Sequence, residues 1–297
     1  MQKLIEKYLL PLAMVIGILF HKYIAILSPI TPILLAIMLF FTYSRISLKD
    51  IKFNKLHIWL LLVQYIGGAL AYFALRGINE TLAQAAMICI LAPTATSAPV
   101  VVGILGGNIA SATAFTLISN LLLAFIAPLF LSLIGKPTVE VSFITSALFI
   151  FKKVVPILVL PFIIALIVQG ISPRLHNKVR SMPLVSFYIW AVALTIVLGN
   201  ITNFIMIKED SGHTIEILIG VTSLIICLLQ FGAGRAIGRK FGQTITGGQG
   251  MGQKNTILAI WLTQTYLNPI ASLGPGLYVA WQNIVNSYQI WIKQRRK

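Results

Sequence analysis

The chain has 297 residues, of which 58% are hydrophobic and only 10% charged, against roughly a quarter charged in a soluble domain. So much apolar sequence cannot fit one soluble core, and the chain reads as an all-α polytopic membrane protein. The formal net charge of +16 then belongs to cationic loops beside a bilayer, and a nucleic-acid partner is excluded for want of a soluble basic domain.

The first span is expected near residues 8–27, with Pro11 in its first turns and Lys22 near its far end. Lys3 and Lys7 precede it as in a signal peptide, but no clean small-residue cleavage site follows, so it reads as a retained span. The second lies near 29–44, and the third near 57–75 with Gln64 inside it. Apolar sequence at 81–92 then meets Ala92-Pro93-Thr94-Ala95-Thr96-Ser97-Ala98-Pro99 and resumes at 100–105. Two prolines with hydroxyls between them break the helix, which gives an interrupted fourth span. The fifth runs near 109–134. A short interfacial helix is expected over 142–151, ending at Lys152 and Lys153, with the sixth span following to about 170. The seventh and eighth lie near 184–207 and 213–234. The ninth ends near Tyr266 and holds Gly-Gly-Gln-Gly-Met-Gly-Gln-Lys-Asn-Thr at 247–256, which cannot lie against lipid as plain helix. The tenth runs near 271–292.

Ten spans put both termini on one side. That side carries 16 of the 23 Lys and Arg and the other 6, with Lys254 left inside a span, so both termini are expected in the cytoplasm of a bacterial-type inner (plasma) membrane. Five spans in residues 1–135 and five in 136–297 force opposite orientations on the two halves. The fourth span of each half is interrupted, the best sequence pointer to the binding site of a secondary transporter. This repeat rests on hydropathy and the position of the breaks, not on residue-level likeness.

Lys254 is the main site candidate, because a lysine at membrane depth is costly; the structural alternative is snorkelling or a packing role. Thr94, Thr96 and Ser97 line the first break. Gln249, Gln253, Asn255 and Thr256 line the second, where they either contact a ligand or cap the broken helix. Gln64, Thr116, Ser119 and Asn120 are supporting positions whose alternative is plain helix packing. Asn200, Thr202 and Asn203 are weaker candidates for an outer mouth. His21, His57, His176 and His213 read as interfacial or solvated, Glu209, Asp210 and Glu216 as solvated charge, and Trp59, Trp261 and Trp291 as interfacial anchors. Cys89 and Cys227 read as small core residues, not a disulfide. No metal-ligand spacing occurs, the Gly-rich stretch 232–252 lacks a phosphate-loop ending, and no nucleophile–base pair suggests an enzyme.

Glu6-Lys7-Tyr8-Leu9-Leu10-Pro11, Ala92-Pro93-Thr94-Ala95-Thr96-Ser97 and Gly252-Gln253-Lys254-Asn255-Thr256 resemble the bile acid:sodium symporter family, and the resemblance extends over essentially the whole chain. It implies ten helices as two inverted five-helix repeats, with broken helices 4 and 9 crossing. It also implies a panel domain near 8–44 and 152–207, a core domain near 57–134 and 213–292, and two sodium ions around the crossing. The family's Ser-Asn pair after the first break falls here on Ala98-Pro99. Its Glu-Val-Gly-Met-Gln-Asn falls on Gly250-Met251-Gly252-Gln253-Lys254-Asn255. The carboxylate shared by both ions is therefore Gly250, and a glutamine ligand is Lys254; no Asp or Glu occurs in 217–297. Gln64, Thr116 and Asn120 match remaining ligand positions.

The expectation is a carrier of organic anions, bile acids or other amphipathic carboxylates. Lys254 would act as a built-in cation that makes transport sodium-independent or, through its own proton, proton-linked. No cofactor is expected. A sodium-coupled symporter with rearranged ligands is the alternative, and a membrane sensor or non-transporting partner subunit is the reading from another class.

Overall fold

The computed structural model describes residues 2–46, 53–135, 142–207 and 213–295. Among these it is all helical, with no strand. The helices are α1 (Gln2–Leu19), α2 (His21–Ile24), α3 (Thr31–Tyr43), α4 (Lys55–Leu75), α5 (Glu80–Leu91), α6 (Ala98–Leu105), α7 (Ile109–Ile134), α8 (Phe143–Ile171), α9 (Pro173–Arg180), α10 (Pro183–Ile207), α11 (Thr214–Lys240), α12 (Thr244–Gly252), α13 (Thr256–Tyr266) and α14 (Leu273–Arg295). Their starts follow from capping chemistry. Asn54, Asn79, Asn108 and Ser142 each accept a hydrogen bond from a backbone N–H in the first turn of the helix that follows. Gly106, at φ +83°, ends α6 in the left-handed conformation that favours glycine.

Six helical segments among the described residues are long and apolar enough to cross a membrane. α4 shows why they belong in lipid. Leu56, Leu60, Gln64, Gly68 and Tyr72 recur every four residues and are buried, while Ile58, Leu62, Ile66, Leu70 and Phe73 on other faces are exposed. A helix of a soluble protein would carry polar groups there. The chain is an integral membrane protein.

The chain divides into two compact units, residues 1–46 with 137–211 and residues 47–136 with 212–297. In the first, α1 packs on α10. A Cβ on Gly17 would lie 2.6 Å from the Thr195 carbonyl oxygen, so the backbones meet directly. Asn200 donates to Ser28 at 3.1 Å, and the His21 ring nitrogen Nδ1 lies 3.3 Å from Asn203 Oδ1. α8 is one continuous helix from Phe143 to Ile171 and not the expected interfacial helix followed by a span. Lys152 and Lys153 do not stop it because both side chains reach outward, Lys153 over the Phe149 ring at 4.4 Å.

In the second unit, α11 and α12 are in backbone contact. A Cβ on Gly234 would collide with the Gly247 carbonyl oxygen, and one on Gly247 with that of Gly234. Lipid is as apolar as a leucine side chain, so close packing through small residues takes the place of hydrophobic burial as the source of helix association.

Four readings of single residues are corrected. His57 and His176 are buried, not solvated: His57 Nε2 lies 2.8 Å from Ser111 Oγ. Glu216 is buried in the first turn of α11. Trp261 is 8% exposed inside α13 and does not anchor an interface, whereas Trp59 and Trp291 are exposed. Glu209 and Asp210 lie outside the described residues.

Candidate functional site

The second unit contains two interrupted helices. α5 stops at Leu91 and α6 restarts at Ala98; α12 stops at Gly252 and α13 restarts at Thr256. The two gaps meet as a short antiparallel bridge between Thr94 and Lys254. Ala95 N–H donates to the Gln253 carbonyl and Asn255 N–H to the Pro93 carbonyl, both at 2.8 Å. Gln282 closes the outer edge of this pairing, accepting from Lys254 N–H at 2.8 Å and donating to the Lys254 carbonyl at 3.4 Å.

A helix broken inside a membrane must have its freed backbone groups met by protein or water. Here the accounting is complete for six successive carbonyls. Pro93 has no N–H, which leaves the Cys89 carbonyl without its usual donor; Gln230 Nε2 supplies one at 3.1 Å. The Ile90 and Ala92 carbonyls both accept from Lys254 Nζ, each at 2.9 Å. The Leu91 carbonyl accepts from Gln64 Nε2 at 2.8 Å and the Thr94 carbonyl from Asn120 Nδ2 at 2.9 Å. The Pro93 carbonyl has Asn255 N–H, as above. Thr94 N–H donates to Ser119 Oγ at 3.1 Å, and Thr94 Oγ1 to the Gly250 carbonyl at 2.7 Å. Tyr278 OH caps the end of α12, donating to the Gly252 carbonyl at 2.9 Å.

The sequence-derived set is therefore largely brought together. Gln64, Thr94, Ser119, Asn120, Lys254 and Gly250 meet at the crossing. Gln253 donates to Ser97 Oγ at 2.8 Å on its more exposed side. Asn255 caps α13 by accepting from Leu258 N–H at 3.4 Å, and buried Thr256 opens that helix. Thr96 is half-buried with no side-chain partner among the described residues. Thr116 sits one turn before Asn120, and its carbonyl accepts from Asn120 Nδ2 at 2.8 Å. Four buried oxygens here lack a partner among the described residues: Gln64 Oε1, Thr116 Oγ1, Asn120 Oδ1 and Gln253 Oε1.

Three contributors escaped the sequence reading: Gln230, Tyr278 and Gln282. Gln230 and Gln282 carried the same signal as Gln64, an amide inside apolar sequence.

Lys254 is 1% exposed and has no carboxylate partner among the described residues. Its ammonium rests on the C-terminal carbonyls of α5, where a helix carries about half a negative charge. Two helix C-termini and two N-termini converge at the crossing, so their partial charges roughly cancel and the ammonium remains as local positive charge. The position of Gly250 is closed to a side chain. A Cβ there would lie 2.9 Å from Phe115 Cδ1 and 3.4 Å from Leu60 Cδ1.

No protein-family model matches the chain. The sequence is 26% identical over 209 residues to an uncharacterised sodium-dependent transporter, YocS, of Bacillus subtilis (strain 168). The match covers 69% of this chain and 63% of that relative, less than two thirds of its length.

Proposed function

We propose that the chain is a secondary transporter of organic anions that works by alternating access at the meeting of its two broken helices and does not require sodium. The observation that carries this reading is Lys254: a buried ammonium held at 2.9 Å by two carbonyls of a broken helix, where a transported or coupling cation would otherwise sit. Its uncompensated charge favours an anionic substrate, and bile acids or other amphipathic carboxylates fit the resemblance of the sequence. The filled volume at Gly250, packed by Phe115 and Leu60, supports the loss of a carboxylate-based sodium site. The division into two compact units supports a panel and a core, and the paired interruptions support the inverted five-helix repeats. The proton of Lys254 offers a coupling route of its own.

A second reading, sodium coupling through rearranged ligands, is favoured by two observations. The relative is named as sodium-dependent, and the unpartnered oxygens of Gln64, Thr116 and Asn120 are cation-ligand chemistry. Uptake of taurocholate and of small carboxylates into proteoliposomes separates the readings. The proposal expects uptake at equal rates in sodium and choline buffers. Uptake in sodium alone supports the second reading, and no flux of any anion refutes both.

A further inference from the structure

α14 carries polar side chains at i, i+4, i+7 and i+11: Gln282, Asn286, Gln289 and Lys293. Those spacings put all four on one helix face. Gln282 and Asn286 are buried, while Gln289 and Lys293 are half-buried, so the stripe runs from the crossing towards the open end of the helix. Gln249 joins it from α12: its Nε2 donates to Asn286 Oδ1 at 3.0 Å and to Gln289 Oε1 at 3.2 Å.

Arg235 of α11 reaches the same place. Its Nη2 donates to Gln289 Oε1 at 3.1 Å, the same oxygen that Gln249 uses. The reach depends on Gly248, where a Cβ would lie 2.6 Å from Arg235 Cγ. A guanidinium has five N–H donors, and the others of Arg235 have no partner among the described residues. Nor does either described carboxylate of its own compact unit approach it. Glu216 lies on the same helix about 28 Å away at 1.5 Å per residue. Glu80 lies nine residues before Cys89, which is itself held at the level of Gln230. A half-buried guanidinium with N–H donors unpartnered among the described residues, and no described acid of its own unit beside it, matches one ligand chemistry well: a carboxylate bound by two parallel N–H···O bonds. Gln249 adds a buried oxygen, Oε1, without a partner among the described residues, which suits a hydroxyl or N–H elsewhere on the same ligand.

We infer that Arg235, with Gln289 and Gln249, forms a carboxylate-binding subsite at the far end of the α14 stripe, separate from the Lys254 crossing. It holds the acid group of an organic anion moving to or from the crossing, and in that last respect it rests on the transport reading above. The guanidinium binds, Gln289 orients it, and Gly248 leaves room for its stem.

Phenylglyoxal labelling of arginine, read at Arg235 by peptide mass spectrometry, tests the subsite in the full chain in phosphatidylcholine nanodiscs. Benzoate is the probe and benzamide its neutral counterpart. Benzoate is expected to protect Arg235 and benzamide to leave it reactive. By thermal shift, benzoate affinity is expected to fall about tenfold in Arg235→Gln, the size of one charge-assisted bond, and less in Arg235→Lys, which keeps stem and charge. Equal labelling with and without benzoate, or equal protection by benzamide, overturns the proposal. Protection that arises only when phosphatidylglycerol replaces phosphatidylcholine also overturns it, because the group held is then a lipid headgroup. Protection without any uptake upholds the subsite and refutes transport, while uptake without protection does the reverse.

Discussion

Lys254 Nζ donates to the Ala92 carbonyl at 2.9 Å, across 162 residues of sequence, and ties the second broken helix to the first. The same ammonium holds the Ile90 carbonyl one half-turn away. The lysine thus does two jobs at once: it satisfies a broken helix end and fixes a positive charge at the crossing.

The neutral donors at the break can be tested without disturbing that charge. Gln64→Leu leaves the Leu91 carbonyl unmet in a dry interior, and Gln230→Leu does the same to that of Cys89. Each is expected to cost about 1–3 kcal/mol, read as a lowered midpoint of unfolding in detergent. A variant as stable as wild type would show that water or another group meets the carbonyl.

Gly250→Ala drives a Cβ into the Phe115 ring. Overpacking of this kind costs about 1–3 kcal/mol. Phe115→Leu in the same chain is expected to recover part of the loss, because the smaller side chain vacates the contested space. Simple additivity of the two changes would place the strain elsewhere.

Gly234→Ala is expected to separate α11 from α12 and abolish folding, while Gly232→Ala, two residues away with nothing within 4 Å, is expected to be silent. Expression and monodispersity in detergent distinguish them. Equal behaviour of the two variants would contradict the backbone contact.

The two interruptions were legible because Pro93, Pro99 and four glycines in 247–252 are conspicuous in apolar sequence. Lys254 was legible for the same reason. Its partners were not, because backbone carbonyls carry no mark in a sequence, and those of Ile90 and Ala92 become available only once the helix has broken. His57 failed in another way. It stands at a predicted span end, where solvent is the default, but Ser111 from 54 residues on lies 2.8 Å from its ring and buries it. Gln230 and Gln282 were readable in principle. Each is an amide inside a span, and in a bilayer such a group needs a partner.

Proton linkage is tested by imposing a pH gradient on proteoliposomes. Where uptake by the wild type follows the gradient, Lys254→Gln is expected to lose that dependence, since the glutamine side chain carries no titratable proton. Gradient-driven uptake that survives the substitution assigns the proton to another group.

On the proposed reading, a tethered ammonium stands in for a bound cation at the crossing. Isothermal titration of the purified chain with sodium chloride, against choline chloride, decides it. The wild type is expected to show no saturable sodium binding. Saturable, stoichiometric sodium binding with Lys254 in place would contradict it.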